Sequence, residues 1–166
     1  PCATKRHRRE KDIKMKFHLI PATAVMLALA GTASAQEWSH ASPGMGQHEG
    51  LLETEDGATG INYACADSYS QVGFKADGVH VAAGVSTISV DGEVVAEGNT
   101  TYNSKWDATS FTNKVESEWG PKLKNEHNKL VQALAQGAEA TWTTPNGESF
   151  NFSLKGSSDI VSCLIK

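Results

Sequence analysis

Between Lys16 and Glu37 this sequence has no Asp, Glu, Lys or Arg. An uncharged run of that length suits either a membrane span or a secretory signal peptide. A span needs ~20 strongly apolar residues. Here Pro21, Gly31 and several Ala, Ser and Thr interrupt the run. It reads as a signal peptide over 15–35. Met15 opens it, Lys16 is the basic n-region, Leu19 to Ala30 form the apolar h-region, and Ala33-Ser34-Ala35 is the small-x-small cleavage site. No Cys follows the small residues, which argues against a lipoprotein anchor. The mature chain is expected to start at Gln36 and to work in the periplasm or medium of a Gram-negative type of bacterium, with no integral membrane segment after cleavage. Residues 1–14 are basic and precede the first Met. They read as an upstream stretch translated in frame from a misplaced start.

The second absence is arginine. All three (Arg6, Arg8, Arg9) precede the cleavage site. The chain carries 15 Lys+Arg and 19 Asp+Glu; residues 1–35 hold seven and two of these, so the mature part keeps eight Lys against 17 acids, a net charge of −9. Nucleic-acid binding rests on Lys and Arg neutralising phosphate, so nucleic acid is excluded as a partner, as are anionic membranes. Small anions lose the bidentate group that usually holds them. Cationic partners stay compatible with the charge. The mature length, 166 less 35, is 131 residues, enough for one domain with its own core.

Cysteine is scarce and lacks CxxC spacing. Cys2 falls in the leader, leaving Cys65 and Cys163. An even pair in an exported chain points to a disulfide. Closing a loop of about 100 residues contributes at most ~4.7 kcal/mol in the chain-entropy model. No G-x-S-x-G and no H-E-x-x-H occurs, and spacing alone pairs no nucleophile with a base. No catalytic residue and no cofactor is assigned.

Residues 36–50, QEWSHASPGMGQHEG, have no apolar period and several Gly and Pro. They read as an extended or mobile arm. His40, Met45 and His48 in it are of the type that binds copper or zinc, and a solvated linker is the alternative. Residues 51–166 read as a single β-rich domain. INYAC alternates Ile61, Tyr63 and Cys65 on one strand face. Tyr69–Lys75 and Val79–Val90 read as further strands. Asp91-Gly92 between TISV and EVVA signals a type I′ hairpin, pairing Val90 with Glu93 and Ile88 with Val95. Residues 98–114 are polar, with Tyr102, Trp106 and Phe111 spaced through them, and suggest a long connection or an edge strand. Asn99-Thr100-Thr101 and Asn151-Phe152-Ser153 fit the N-glycosylation pattern, a coincidence in a bacterial context.

Pro121 to Gln136 is the main helix. Pro121 suits its first position, Leu123, His127, Leu130, Val131 and Leu134 form a stripe, and Gly137 ends it. His127 is expected to be partly buried or at a boundary. In the hairpin that follows, a two-residue Asn146-Gly147 loop would put Trp142 opposite Asn151. A three-residue Pro145-Asn146-Gly147 loop pairs Trp142 with Phe150, Ala140 with Phe152 and Ala138 with Leu154, gathering the apolar side chains on one face. Burial favours the second register. Ser157 or Ser158 can cap a short closing helix with Ile160, Cys163 and Leu164 inward. The fold class is therefore α+β, mainly an antiparallel sheet or sandwich with one main helix and a short C-terminal one.

The run KLVQALAQGAEATWTTPNGESFNFSLKGSSDIVSCL resembles the closing unit of the invasion-associated locus B family of bacterial exported proteins. The shared features are a helix ending in Gly137, a strand, a polar turn and the FSLKG step at Phe152 to Gly156. Ser157 departs from the aromatic residue the family tends to place after that step. The resemblance covers about a quarter of the mature chain. It implies a small exported β-rich domain and carries no catalytic residues across. The combined expectation is a non-enzymatic binding domain whose partner is a protein or an envelope component. The alternatives are a metal-binding protein using His40, Met45 and His48, and a hydrolase whose site the sequence does not reveal.

Overall fold

The computed structural model describes residues 37–166. Residues 1–36, with the stretch expected to lie upstream (1–14) and the expected signal peptide (15–35), lie outside the described residues. Among the described residues nine strands run β1 Ser39–Gly44, β2 Gln47–Glu53, β3 Thr59–Ala66, β4 Tyr69–Asp77, β5 Gly84–Val90, β6 Glu93–Asn103, β7 Ala108–Glu116, β8 Glu139–Thr143 and β9 Ser149–Ser153. Helix α1 is Pro121–Gln136 and the 3₁₀ helix η1 is Ser157–Cys163. All strands join one antiparallel sheet in the order β1-β2-β3-β4-β7-β6-β5-β8-β9. The sheet curls into a half-barrel that brings β9 toward β3.

Alternation decides which side chains enter the hollow. Ile61, Tyr63 and Cys65 of β3, Val72 and Phe74 of β4, Phe111 and Val115 of β7, and Ala140 and Trp142 of β8 are all buried. Phe74 meets the rings of Phe111, Trp142 and Phe152 at 5.8–6.3 Å between centroids, with the edge-on and tilted packing aromatic pairs prefer. Leu130, Val131 and Leu134 of α1 and Ile160 of η1 complete the core. Leu123, expected on the buried stripe, is about half exposed. Cys65 and Cys163 form a disulfide with Cα atoms 5.3 Å apart, joining β3 to η1.

The two ends of the half-barrel differ. Helix α1 begins after β7 and finishes beside the Asp91-Gly92 turn, so it starts and ends at the same rim and packs there on β6, β7 and η1. The opposite rim carries the β2–β3, β4–β5, β6–β7 and β8–β9 connections. These are called the closed and open ends below.

Several expectations need correction. The described part of the expected 36–50 arm is no separate arm: β1 and β2 form a hairpin, and β2 pairs with β3 along its length. Its glycines conceal the pattern, because the Tyr63 ring lies over Gly50, where a Cβ would come within 2.3 Å of that ring. Residues 98–114 are not a loose connection. They form most of β6 and β7, and β7 is the interior strand that joins β4 to β6. In the β5–β6 hairpin Val90 does pair with Glu93, and Asp91 and Gly92 both have positive φ, but a bulge then pairs Ile88 with Ala96 rather than Val95. Gly137 is not left-handed (φ −77°); it is required because a Cβ there would lie 2.2 Å from Val90 Cγ1. No serine caps η1. Gly156 is its N-cap with φ 92°, and Ser157 donates instead to the Leu134 carbonyl at 2.6 Å. The three-residue Pro145-Asn146-Gly147 loop is present, with Trp142 opposite Phe150, Ala140 opposite Phe152, and Gly147 at φ 85°.

Candidate functional site

The β1–β2 hairpin holds the three candidate metal ligands. His40 lies opposite Gly50, beside Tyr63. The Gly156 carbonyl can only accept, so His40 Nε2–H donates to it at 3.0 Å, and Nδ1 is left to accept from the Tyr63 hydroxyl at 2.8 Å. Trp38 stacks on the imidazole at 5.9 Å. Burial, with Asp159 second, pushes the Tyr63 pKa up to about 12, so the phenol stays a donor. Both nitrogens of His40 are thus spent on holding the hairpin, one to Tyr63 of β3 and one to the start of η1. His48 Nδ1 meets Ser42 Oγ at 3.1 Å. His40 and His48 share one shallow hollow with Tyr63 and Asp159. Met45 sits at the hairpin turn, 92% exposed, so it does not join them. Among the described residues no three His, Cys, Asp or Glu side chains are placed to hold a metal.

At the closed end the fold assembles a group that spacing did not reveal. Ser70 of β4 and Asn113 of β7 are diagonal neighbours on the inner face, since Ser70 pairs with Val115 and Val72 with Asn113. His127 of α1 drops between them. Its Nδ1 lies 2.5 Å from Asn113 Oδ1 and its Nε2 lies 2.6 Å from Ser70 Oγ. With Nδ1–H donated to the amide oxygen, Nε2 accepts the serine proton. Burial pushes the His127 pKa down to about 4, so the ring is neutral at pH 7. The order is that of a nucleophile, a base and an orienting group. Ser70 also forms part of the wall of a 290 Å³ cavity beside the disulfide, with His48, Asp67 and Tyr69. Yet Ser70 and His127 are each only 1% exposed. As built, the chain of hydrogen bonds satisfies buried polar groups and pins α1 to the sheet.

The open end presents aromatic side chains on a fixed frame. In the β4–β5 loop Val81 is buried and His80 exposed. Buried Thr109 of β7 holds that loop by donating to the Val79 carbonyl and accepting from the Val81 amide. The Gly78 amide donates to the Asp107 carbonyl at 2.6 Å, tying the loop to the β6–β7 turn. That turn is fixed in its own right. The Lys105 amide donates to Asn103 Oδ1 at 3.0 Å, and the Trp106 amide to the Asn103 carbonyl at 3.2 Å. On this frame the His80 and Tyr102 rings stack at 4.1 Å. The Tyr102 hydroxyl donates to Asp107 Oδ1 at 2.8 Å, which raises the phenol's pKa. Trp106, on the same turn as Asp107, stands 68% exposed, with Lys105 Nζ 5.2 Å from its ring centroid.

The same rim is acidic. The register places Glu53 beside Gly60, Thr59 beside Ala76 and Asp77 beside Ala108, so Glu53, Glu55, Asp56, Asp77 and Asp107 gather there. Glu148 follows in the β8–β9 turn. Lys75 bridges Glu53 at 2.7 Å and Asp77 at 3.5 Å. Asp56 accepts from the Thr54 hydroxyl and the Ala58 amide, which lower its pKa. Tyr102 and Trp106 were visible in the sequence as aromatics in a polar run. Their grouping with His80 depends on pairing between β7 and β4, which no local pattern encodes. Compared with known proteins, the chain matches no family model, no curated protein and no solved structure.

Proposed function

We propose that residues 36–166 form an exported, non-enzymatic binding domain of the periplasm or medium, which engages a protein or envelope component through its open end. The observation that carries this reading is the exposed Trp106 on the hydrogen-bonded β6–β7 turn, at the same rim as the stacked His80 and Tyr102 rings. Large exposed aromatics cost little in isolation, but a rigid set of them held by backbone hydrogen bonds offers contact area with little ordering entropy still to lose. Aromatic anchors dominate the energetics of many interfaces. Export rests on the signal-peptide pattern of residues 15–35 and on the resemblance in the closing unit. The disulfide agrees with an oxidising compartment. Immobilised mature protein should retain a component of envelope extracts, and Trp106→Ala should reduce that retention while leaving circular dichroism unchanged. Equal retention by the variant would exclude the open end as the binding face.

The Ser70–His127–Asn113 geometry supports a second reading, a serine hydrolase whose cavity opens beside the disulfide. A fluorophosphonate probe should then modify Ser70, and peptide mass mapping would find the adduct. An unmodified Ser70 after prolonged exposure removes this reading.

A further inference from the structure

The open end combines two features that point to one class of ligand. The first is charge. Its rim carries Glu53, Glu55, Asp56, Asp77, Asp107 and Glu148 against Lys75 and Lys105. The mature chain as a whole holds 17 acids, eight lysines and no arginine. Such a surface attracts cations and repels phosphate and carboxylate ligands. The second is the ring group itself. Aromatic faces carry negative potential and attract ammonium groups placed within ~6 Å of the ring centroid. Lys105 Nζ stands 5.2 Å from the Trp106 centroid, so one ammonium already uses that ring. Asp107 next to it is fixed by the Tyr102 hydroxyl, and the left-handed backbone at Asp107 (φ 46°) holds the turn in shape. Lys105 is itself exposed and on a flexible stem, so it can leave.

We infer that the Trp106 face, next to Asp107 on the β6–β7 turn, is a site for the ammonium group of a lysine in a basic polypeptide segment, with Lys105 as its internal competitor. The inference rests on the reading of the open end as a binding face and names its ligand class. A neutral glycan stacking on Trp106 would gain nothing from the net charge of the rim, which favours the cation.

The probe is a lysine-repeat peptide, with a Gly/Ser peptide of equal length and a neutral oligosaccharide as controls. Binding is read from the Trp106 indole N–H resonance, assigned with Trp106→Phe, and from calorimetry at two salt concentrations. The lysine peptide alone should shift that resonance, and more weakly at high salt. Trp106→Ala should weaken binding about two- to fivefold, the range an exposed cation–π contact supplies. Lys105→Ala should tighten binding more than Lys155→Ala, which removes the same charge at the closed end. Equal affinity in wild type and Trp106→Ala, or equal effects of the two lysine variants, would reduce the interaction to diffuse charge and overturn the inference. Glycan binding at Trp106 without peptide binding would overturn it as well. Reduced extract retention in Trp106→Ala without any peptide binding would reject the ammonium class and leave the binding face in place.

Discussion

The two ends of the half-barrel solve opposite problems. At the closed end polar groups are buried and must be satisfied. Ser70, His127 and Asn113 satisfy one another, Asn128 exchanges two hydrogen bonds with Ile165, and Ser157 takes the Leu134 carbonyl. At the open end apolar surface is exposed and must be kept rigid. Thr109, Asp107 and Asn103 do this for His80, Tyr102 and Trp106. The difference teaches where substitutions will register. Those at the closed end should change stability, and those at the open end should change recognition.

The largest effect should come from the disulfide. Cys65→Ser with Cys163→Ser frees a loop with a sequence separation of 98 residues. Urea unfolding should show a loss of about 2–5 kcal/mol. A loss below about 1 kcal/mol would mean that η1 is held to β3 by packing alone.

Acid comes next. The folded-state pKa of His127 is about 4 against 6.5 for the free side chain. A lowered histidine pKa means that the folded state binds the proton less well than the unfolded one. The stabilisation is complete above pH 6.5 and is lost as the pH falls toward 4, by up to ~3 kcal/mol. His127→Gln should flatten that part of the stability–pH curve, at the cost of a lower plateau at pH 7. An unchanged slope between pH 7 and pH 4 in the variant would assign the acid sensitivity to other groups.

A smaller closed-end effect is expected at Gly137. Replacing a glycine at a helix terminus with Ala often helps where φ is ordinary. Here the added Cβ would meet Val90 Cγ1 at 2.2 Å, and Gly137→Ala should cost about 1–3 kcal/mol as the contact is relieved. A stabilised variant in thermal melts would show that the β5 hairpin yields freely. The smallest stability effect belongs to the open end. Trp106→Ala should lie within about 0.5 kcal/mol of wild type, so a melting curve that coincides with wild type, combined with reduced partner retention, gives the comparison its sharpest form.

Much of the scaffold was legible because its determinants are local. The α1 boundaries follow from Pro121 and a 3.6-residue stripe, and the β8–β9 register follows from the requirement that Trp142 and Phe150 share a face. The Cys65–Cys163 bond was legible by setting Cys2 aside with the expected leader, which leaves one pair. The edge hairpin was hidden because its buried ring, Tyr63, belongs to the neighbouring strand and leaves only glycine at position 50. The bulge that moves Ile88 opposite Ala96 was hidden for a similar reason: nothing in TISVDGEVVA breaks the alternation. Of the candidate site, single residues were visible and their company was not. Tyr102 and His80 are 22 positions apart, and Ser70 and His127 are 57. Both groupings are products of β7 lying against β4.

That placement of β7 also sets an order of events for a chain delivered from its N-terminal end. Strands β1 to β4 can pair as they emerge, since each neighbours the next. After that the outer edge of β4 stays unsatisfied until β7 has arrived, and β5 and β6 have to fold back first. Non-local pairing of this kind is slow to form. The thiol of Cys65 waits longer still, since its partner comes 98 residues later. The sheet and its crosslink are therefore completed only once almost the whole chain is available.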